Sequence, residues 1–375
     1  MFVCLSPGGQ GLTVGETPRE RLLVGTVDGI FSFAKQGGVW NRQETMLAGE
    51  HISAIHFEPI TGTLFAGSYG GALYASGDLG KSWISRNSGL GGREIYSLAS
   101  RAIRGRARLY AGTQPAHLFY SDDLGERWTE LPALREVPGV EKWTFPAPPH
   151  QAHVKDIAFH PDNPDVIYVA VEVGGFLKSR DGGRSWTIAP GLNPDAHRVF
   201  APVNDPERIY LVMPTTNCGP EVTAGVCRSD DGGRSWTSLT PREFRIGYVD
   251  PFFVHPADPD LLFVAGAKTG PGTWRKLHTA DARIARSRDG GKSWEVLNGG
   301  LPDHIRASIE AMAMDTWSGG YALFLGTTDG DVYYSDDEGE HWQRIASGIG
   351  AVSKSHHHHN LAGGSQEEES RRSAG

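Results

Sequence analysis

Cysteine, long apolar runs and an excess of basic residues are all lacking in this chain of 375 residues. Its three cysteines are Cys4, Cys218 and Cys227. Because an odd number of thiols cannot pair completely, the sequence favours reduced, structural cysteines over a disulfide framework. No stretch of eighteen apolar residues occurs, so we expect no transmembrane helix. The first residues lack the basic region and apolar core of a secretory signal, and we therefore expect a cytoplasmic protein.

The charge balance excludes one broad class of partner. The chain has 36 Lys and Arg against 44 Asp and Glu, a formal net charge of -8. Proteins that bind nucleic acids usually carry a basic face, so we expect no nucleic-acid partner. Without an apolar span we also expect no membrane partner. The 49 glycines and 23 prolines suit many turns, and no window has the periodicity of a long amphipathic helix.

The strongest pattern that is present is an eight-residue repeat, Ser-x-Asp-x-Gly-x-x-Trp. Six copies keep all four residues at the same spacing, at 76–83, 121–128, 179–186, 229–236, 287–294 and 335–342. A seventh, eroded copy at 33–40 keeps only Gly37 and Trp40. Self-similarity at a period of roughly fifty residues is typical of solenoids, propellers and arrays.

Each copy of the repeat predicts a tight hairpin. Ser and Asp side chains can bond nearby backbone N–H groups and Gly supplies positive φ, while the Trp ring covers the turn. Around the copy at 179–186, strand-like runs lie at 154–159, 166–171 and 175–178, and another begins at Trp186. Four short strands per repeat make one propeller blade. We therefore predict an all-β fold, a seven-bladed β-propeller with four-stranded antiparallel blades and Asp-box hairpins.

The predicted propeller is a single domain that covers residues 1–349. Residues 1–19 are expected to form one strand, either the innermost strand of blade one or a closing strand for the last blade. Residues 350–375 contain a run of His and a run of Glu and have little to bury. They are therefore predicted to be a disordered tail.

The six boxes resemble those of the Asp-box, or BNR-repeat, β-propellers, and the resemblance covers residues 20–345. That family includes sialidases, xyloglucanases, sortilin-type receptors and photosystem II assembly factors. In all of them the box is a structural turn away from any active site, so the resemblance implies the fold and leaves the function open. The sialidase stretch Phe/Tyr-Arg-Ile-Pro has only a partial match at 244–247, ahead of blade six, which does not favour a sialidase.

One face of the predicted disc collects the unusual features. Insertions at 131–150, 214–225 and 267–283 all fall opposite the box hairpins, and long loops often carry function. The innermost strands start on that same face, and aligning them places polar side chains around the mouth of the central channel. Charged groups that converge in a concave site are functional candidates. Side chains that are merely hydrated at a wet mouth would give the same pattern.

The residues at the mouth suggest two chemistries. Paired carboxylates can act as acid and base on a glycosidic bond, and the candidates are Glu94, Asp250 and Glu310. Alternatively, imidazoles with a carboxylate can hold a divalent metal ion that activates water, and the candidates are His51, His153 and His197. The candidate ligand-binding residues are Lys155, Arg198, Tyr248, Trp143 and Trp274.

Two functions remain open from the sequence. The first is binding of a small molecule or carbohydrate at the channel mouth, with glycoside-hydrolase-like or metal-assisted hydrolysis. The second is a non-catalytic platform for a protein or peptide partner, as in the assembly factors and sortilin-type receptors. In that case the segments around Trp143 and Trp274 would form the binding surface.

Overall fold

The computed structural model describes residues 2–215, 222–241 and 244–361, and these residues form seven β-sheets. Six sheets have four strands, and the seventh has a fifth strand added along its inner edge. The predicted seven-bladed β-propeller is confirmed. No helix in the described ranges is long and apolar enough to cross a membrane.

The strands follow one another blade by blade, except that the first two are shared between blades one and seven. Blade one contains β1 (Val3–Leu5), β3 (Arg21–Thr26), β4 (Gly29–Gln36) and β5 (Val39–Met46). Blades two and three contain β6 (Ile52–Glu58), β7 (Thr63–Ser68), β8 (Leu73–Ser76), β9 (Ile84–Ser85), β10 (Glu94–Ile103), β11 (Arg106–Gln114), β12 (Leu118–Ser121) and β13 (Thr129–Glu130).

The remaining blades repeat this arrangement. Blades four and five contain β14 (His153–Phe159), β15 (Ile167–Glu172), β16 (Gly175–Ser179), β17 (Thr187–Ile188), β18 (Arg198–Phe200), β19 (Ile209–Met213), β20 (Gly225–Ser229) and β21 (Thr237–Ser238). Blades six and seven contain β22 (Tyr248–His255), β23 (Asp258–Ala267), β24 (Arg283–Ser287), β25 (Glu295–Leu297), β26 (Ile309–Trp317), β27 (Gly320–Thr327), β28 (Val332–Ser335) and β29 (Gln343–Ala346), with β2 (Leu12–Val14) beside β26.

Apolar side chains pack between neighbouring blades and so hold the ring together. Phe65 of blade two, for example, belongs to the same buried cluster as Leu98 and Phe119 of blade three. Sheets that are packed face to face bury a continuous apolar layer. Cys4 and Cys227 are buried free thiols within these layers, whereas Cys218 lies outside the described residues.

The Asp boxes form the hairpins that the repeat predicts. In the copy at 179–186 the hydroxyl of Ser179 accepts the N–H of Gly183 at 2.8 Å and donates to Asp181 at 2.8 Å. Asp181 in turn accepts the N–H of Ser185 at 2.9 Å and its hydroxyl at 2.6 Å. Trp186 is buried over the turn. Each box therefore satisfies its own backbone donors without help from a ligand.

The N-terminal residues take both of the positions that the sequence left open. β1 pairs with β3 and β2 pairs with β26, and both pairings are parallel. Between them, residues 6–11 turn inside the central channel, where Gly8 donates its N–H to Ser53 and accepts the N–H of Leu98. We call residues 3–14 the N-terminal loop. It enters from the Asp-box face, pairs with blades one and seven, and bonds to Ser53 of blade two, Leu98 of blade three and Arg198 of blade five.

The segment after blade seven departs from the predicted disordered tail. Residues 350–361, which we call the strap, cross the face opposite the Asp boxes and end in a 3₁₀ helix at His356–Asn360. Val352 donates its N–H to Thr327, and Ala351 accepts the N–H of Val27, so the strap bridges blades seven and one. Side chains that would be solvated in a free tail are buried here because carboxylates of the propeller bind them. Residues 362–375 lie outside the described residues.

The insertions fold over the same face as the strap. Residues 131–150 contain 3₁₀ helices at Pro132–Glu136 and Val140–Lys142, and Leu134 packs into the core of blade four. Residues 267–283 contain the α-helix Pro271–Leu277. The insertion at 214–225 lies partly outside the described residues.

The N-terminal loop passes so close to the blades that it requires glycine at its tip. A Cβ built on Gly8 meets the carbonyl oxygen of Tyr96, so we expect Gly8→Ala to lower the free energy of unfolding by about 1–3 kcal/mol. Urea denaturation measures the effect. Gly77→Ala is the matched control because no atom lies within 4 Å of its added Cβ. Equal stability of the two variants would contradict the tight fit of the loop.

The Asp boxes should weaken in acid. Hydrogen bonds from the side chain and backbone of Ser185 lower the pKa of Asp181 from its usual 3.8 to about 2. A carboxyl whose pKa is depressed on folding stabilises the protein above its unfolded pKa and loses that contribution as the pH falls through its folded pKa. We therefore expect the free energy of unfolding to fall between pH 3.8 and about 2, and to fall less steeply in Asp181→Asn. Asp162→Asn, at an exposed turn, should leave the slope of the wild type.

Candidate functional site

The side chains at the channel mouth are aimed inward by β-bulges. In five of the innermost strands the pairing register slips near the start of the strand, and an extra residue is left out of the ladder. A bulge re-aims the side chain of the unpaired residue. The residues left out in this way are Ser53, Tyr96, Lys155, Asp250 with Pro251, and Glu310. These bulges therefore explain why polar side chains at the starts of the innermost strands converge on the channel mouth, as the sequence predicts.

Lys155 is the centre of a buried ion network. Its Nζ lies 3.0 Å from Glu172 Oε2 and 3.0 Å from Asp250 Oδ2, and all three side chains are at most 2% exposed. Arg198 Nε lies 3.4 Å from the other oxygen of Asp250. Tyr248 donates its hydroxyl to Glu172 at 3.2 Å. Because ions buried in a low-dielectric interior are tolerated only when paired, these groups neutralise one another.

The strap inserts further groups into this network. Lys354 Nζ lies 2.8 Å from Asp250 Oδ2 and 3.3 Å from Glu172 Oε2. Glu310 accepts hydrogen bonds from the Ser353 hydroxyl at 3.1 Å, from the Lys354 N–H at 3.2 Å and from His357 Nδ1 at 2.8 Å. The strap therefore closes the mouth that the sequence predicts to be open.

The pKa values of the carboxyl groups follow from this pairing. Burial alone would raise the pKa of Glu172, but Lys155 and Lys354 outweigh it and hold the pKa well below its usual value. Burial likewise opposes ionisation of Asp250, and the same two ammonium groups lower its pKa. His357 does the same for Glu310. All three carboxyls are therefore ionised at neutral pH.

The three histidines predicted as metal ligands are not brought together. His51 Nε2 donates to the carbonyl of Ser353 at 2.8 Å, and His153 Nε2 lies 2.8 Å from Glu172. His197 Nδ1 donates to the carbonyl of Val249 at 2.6 Å. Their ligand atoms do not lie within 4.8 Å of one another.

A different set offers the geometry of a metal site but not its chemistry. Ligand atoms of Glu172, Asp195 and His197 lie within 4.8 Å of one another, the one such group of three or more in the described ranges. However, two ammonium groups already lie within 3.3 Å of Glu172 Oε2. Burial and Lys155 oppose protonation of His197, but Asp195 and Glu172 outweigh them and raise its pKa. Because the two ammonium groups already compensate the charge of Glu172, this set fits cations of the protein itself better than a divalent ion.

The other predicted residues occupy different places around the mouth. Tyr248 and Arg198 belong to the ion network. Glu94 begins β10 and is partly exposed. Trp143 lies in the insertion against Gly174, also partly exposed. Trp274 is fully buried and donates its ring N–H to the carbonyl of Thr269, so it supports the mouth and presents no free ring surface.

Two main participants in the network were missed from the sequence. Glu172 is the last residue of β15, the second strand of blade four, and an alignment of the innermost strands does not include it. The one sign of Glu172 in the sequence was a charge directly after the apolar run 167–171. Lys354 lies in a segment whose composition predicts disorder, and no local pattern marks its role.

The opposite mouth, on the Asp-box face, contains the cleft that the N-terminal loop leaves unfilled. Its volume is about 620 Å³, and blades three to six supply most of its walls. Apolar side chains dominate, chiefly Phe159, Phe200, Phe252, Phe253 and Met312. The loop residues Ser6, Gly9 and Gln10 line its inner end. The sequence predicts no site on this face.

Charged and polar side chains also line the cleft, among them Arg101, Arg198, Arg208, Asp156, Asp205, His160, Asn204 and His255. Asp156 lines it, is half-buried, and accepts the N–H groups of Val199 and Ile157, each at 3.0 Å. Burial raises the pKa of Asp156 despite the opposing charge of Arg198. Val203, at the rim, is 69% exposed. The arrangement is that of a concave site with mainly apolar walls and several charged groups, with Asp156 and Asp205 as its carboxyl groups.

Comparisons with known proteins identify relatives of the fold. The chain is similar to the GH74 xyloglucanase from Xanthomonas campestris, with 18% identity and a TM-score of 0.64, over 92% of this chain and 55% of that one. It is similar to an ancestral GH74 enzyme with 17% identity and a TM-score of 0.56, over 76% of this chain and 37% of that one. It is also similar to YCF48 bound to D1 peptide, with 15% identity and a TM-score of 0.50, over 88% and 87% of the two chains.

These similarities support a conclusion about the fold alone. No protein-family model matches the chain, and neither does any curated protein. The chain spans 55% and 37% of the lengths of the two GH74 structures. At these identities the likeness shows the β-propeller fold, which the GH74 enzymes and YCF48 share.

Removal of one buried cation should destabilise the mouth strongly. We expect Lys155→Met to lower the free energy of unfolding by about 3–5 kcal/mol, because it leaves Glu172 and Asp250 short of one positive charge in a buried site. Urea denaturation at neutral pH measures it. Lys81→Met, at an exposed box position, removes the same charge from the surface and should change stability by less than about 0.5 kcal/mol. A loss as small as that in Lys155→Met would show that the network is not structural.

Proposed function

We propose that this propeller is a non-catalytic binding protein that takes an extended peptide into the cleft on its Asp-box face. The observation that carries the proposal is the cleft itself, about 620 Å³ in volume, with mainly apolar walls. A well-formed apolar pocket with a few convergent polar groups is the usual form of a ligand site. The N-terminal loop at its inner end makes it a recess with a floor.

The carboxylates of the other mouth do not support hydrolysis there. A glycosidase needs one carboxyl group that reaches the glycosidic oxygen and a second that reaches the sugar or a water. Asp250 and Glu310 are at most 1% exposed, and both accept hydrogen bonds or ion pairs from the strap. These groups are used within the protein. We therefore favour the platform alternative over the glycoside-hydrolase-like one.

The lining of the cleft favours a peptide over a glycan. A glycan presents many hydroxyl groups, and each would need a partner when it leaves water. The cleft offers phenylalanine rings and several prolines, and its polar groups, among them Asp156, Asp205 and Arg208, are outnumbered by apolar ones. A peptide would place a large apolar side chain against the rings and could donate a backbone N–H to that carboxyl group. The similar YCF48 structure, which holds D1 peptide, supports the same choice by analogy.

Selection from a phage-displayed library of random heptapeptides tests the proposal. We expect enrichment of peptides with a large apolar residue, because the walls of the cleft are apolar. The affinity of a selected peptide is then measured by isothermal titration calorimetry. Val203→Asp, at the exposed rim, should weaken binding about tenfold, or about 1.4 kcal/mol, by placing a charge beside an apolar ligand.

The control makes the same change from valine to aspartate at a position outside the cleft. Val39 is 52% exposed on the outer strand of blade one, far from the cleft, and Val39→Asp should leave the affinity unchanged. Phe200→Ala, which removes a ring from the wall, should weaken the same peptide. Binding that is indifferent to both Val203→Asp and Phe200→Ala would place the peptide elsewhere and refute the proposal. Enrichment of no peptide would also refute it.

A further inference from the structure

The recess beneath the strap is built to hold an ammonium group. Lys354 Nζ lies between Asp250 and Glu172, 2.8 Å and 3.3 Å from their nearest oxygens. It also lies 5.8 Å from the centre of the Tyr248 ring. Two carboxylates and an aromatic wall at these distances suit a compact cation. The side chain is 3% exposed, so the fit excludes bulk water.

The blades alone do not balance the charge of this recess. They supply three buried carboxylates, Glu172, Asp250 and Glu310, against two permanent cations, Lys155 and Arg198. Lys354 of the strap provides the missing positive charge. A buried carboxylate without a counter-charge is strongly unfavourable. When the strap leaves, either water or another cation takes the place of the Lys354 ammonium.

The other oxygen of Asp250 faces the blades. Its Oδ1 lies 3.4 Å from Arg198 Nε, and neither atom has a hydrogen bond within the part of the chain described. The two groups compensate each other's charge, while Oδ2 holds the ammonium groups of Lys155 and Lys354.

The strap is attached in a way that allows release. Of its residues, Ala351, Val352 and Leu361 are the apolar ones that are buried. The remaining contacts are hydrogen bonds and ion pairs, which water or another polar chain can replace. Leu361 packs beside Trp274 and Tyr248 at the edge of the mouth.

We propose that this recess is a binding site for the lysyl side chain of a partner peptide, and that Lys354 occupies it as an internal competitor. The ligand is recognised by its primary ammonium group, held between Asp250 and Glu172. A partner must displace the strap, so the strap sets the threshold for binding. This site is separate from the cleft on the Asp-box face and does not rest on its function.

Chemical rescue tests the site in the full-length chain. Lys354→Ala should lower the midpoint of thermal unfolding, because it leaves the carboxylates without their cation. Millimolar n-butylammonium should then raise the midpoint of this variant by about 2–4 °C more than that of the wild type. Lys354→Met is the matched control, since its side chain keeps the recess filled and should block rescue. n-Butanol and tetramethylammonium should rescue neither variant.

A second measurement uses the wild type and does not require the variant to fold. Amide hydrogen exchange of residues 350–361 is followed by mass spectrometry with N-acetyl-lysine methylamide and, as the control, its norleucine analogue. We expect the lysine compound alone to speed exchange at Val352 and Lys354, whose N–H groups bond to Thr327 and Glu310. A lysine-containing peptide should act at lower concentration than the free amine if the ligand is a partner chain.

Three outcomes would contradict the proposal. Equal shifts of the midpoint in the wild type, Lys354→Ala and Lys354→Met would show general salt effects and overturn the proposal. Unchanged exchange of the strap at saturating lysine compound would also overturn it. Rescue by butylammonium without any advantage of the peptide would identify a site for small amines and refute the peptide ligand.

Discussion

Pairing of charges in a space closed to water is the constraint on which the centre of this propeller depends. Two ammonium groups, one from blade four and one from the strap, share the carboxylates of Glu172 and Asp250. At low effective dielectric none of these groups can be ionised alone. The strap, the bulged innermost strands and the packing of the mouth are therefore parts of one charge-paired arrangement.

The central channel is occupied from both ends, and the two faces differ for that reason. The N-terminal loop fills one side of the channel from the Asp-box face and leaves a cleft on the other side. The strap covers the opposite mouth with polar groups. A ring of seven similar blades has no intrinsic reason to be asymmetric. Here the segments outside the repeats create the asymmetry, and the proposed ligand sites lie where those segments end.

The repeat made the fold predictable from the sequence, because its spacing encodes a turn that closes on itself. In each box, the Ser and Asp that identify the motif also make the hydrogen bonds. The path of the N-terminal residues was less predictable, since the parallel pairing of β2 with the distant β26 depends on the closed ring and not on local pattern. The close contact between the tip of this loop and the blades was not predictable for the same reason, although Gly8 and Gly9 are residue types that such a contact requires.

The site was predictable in position more than in chemistry. Lys155, Asp250 and Glu310 do converge at the mouth, as the alignment of innermost strands indicates, but their partners come from elsewhere. Glu172 lies on a second strand, and Lys354 lies in a segment whose composition resembles a disordered tail. Composition describes what a segment can bury by itself, and it cannot report an acidic recess supplied by residues a hundred or more positions away.

The pairing of β2 with β26 also constrains how the chain reaches its native state. Leu12 is matched with Met314, so this early segment waits for the last blade before it gains its partner. Contacts between such distant positions slow folding, and the unpaired segment stays open to wrong associations meanwhile. The earlier blades can stack as they emerge from the ribosome. The N-terminal loop, however, can pair with β26 and close the ring only after the seventh blade has been synthesised.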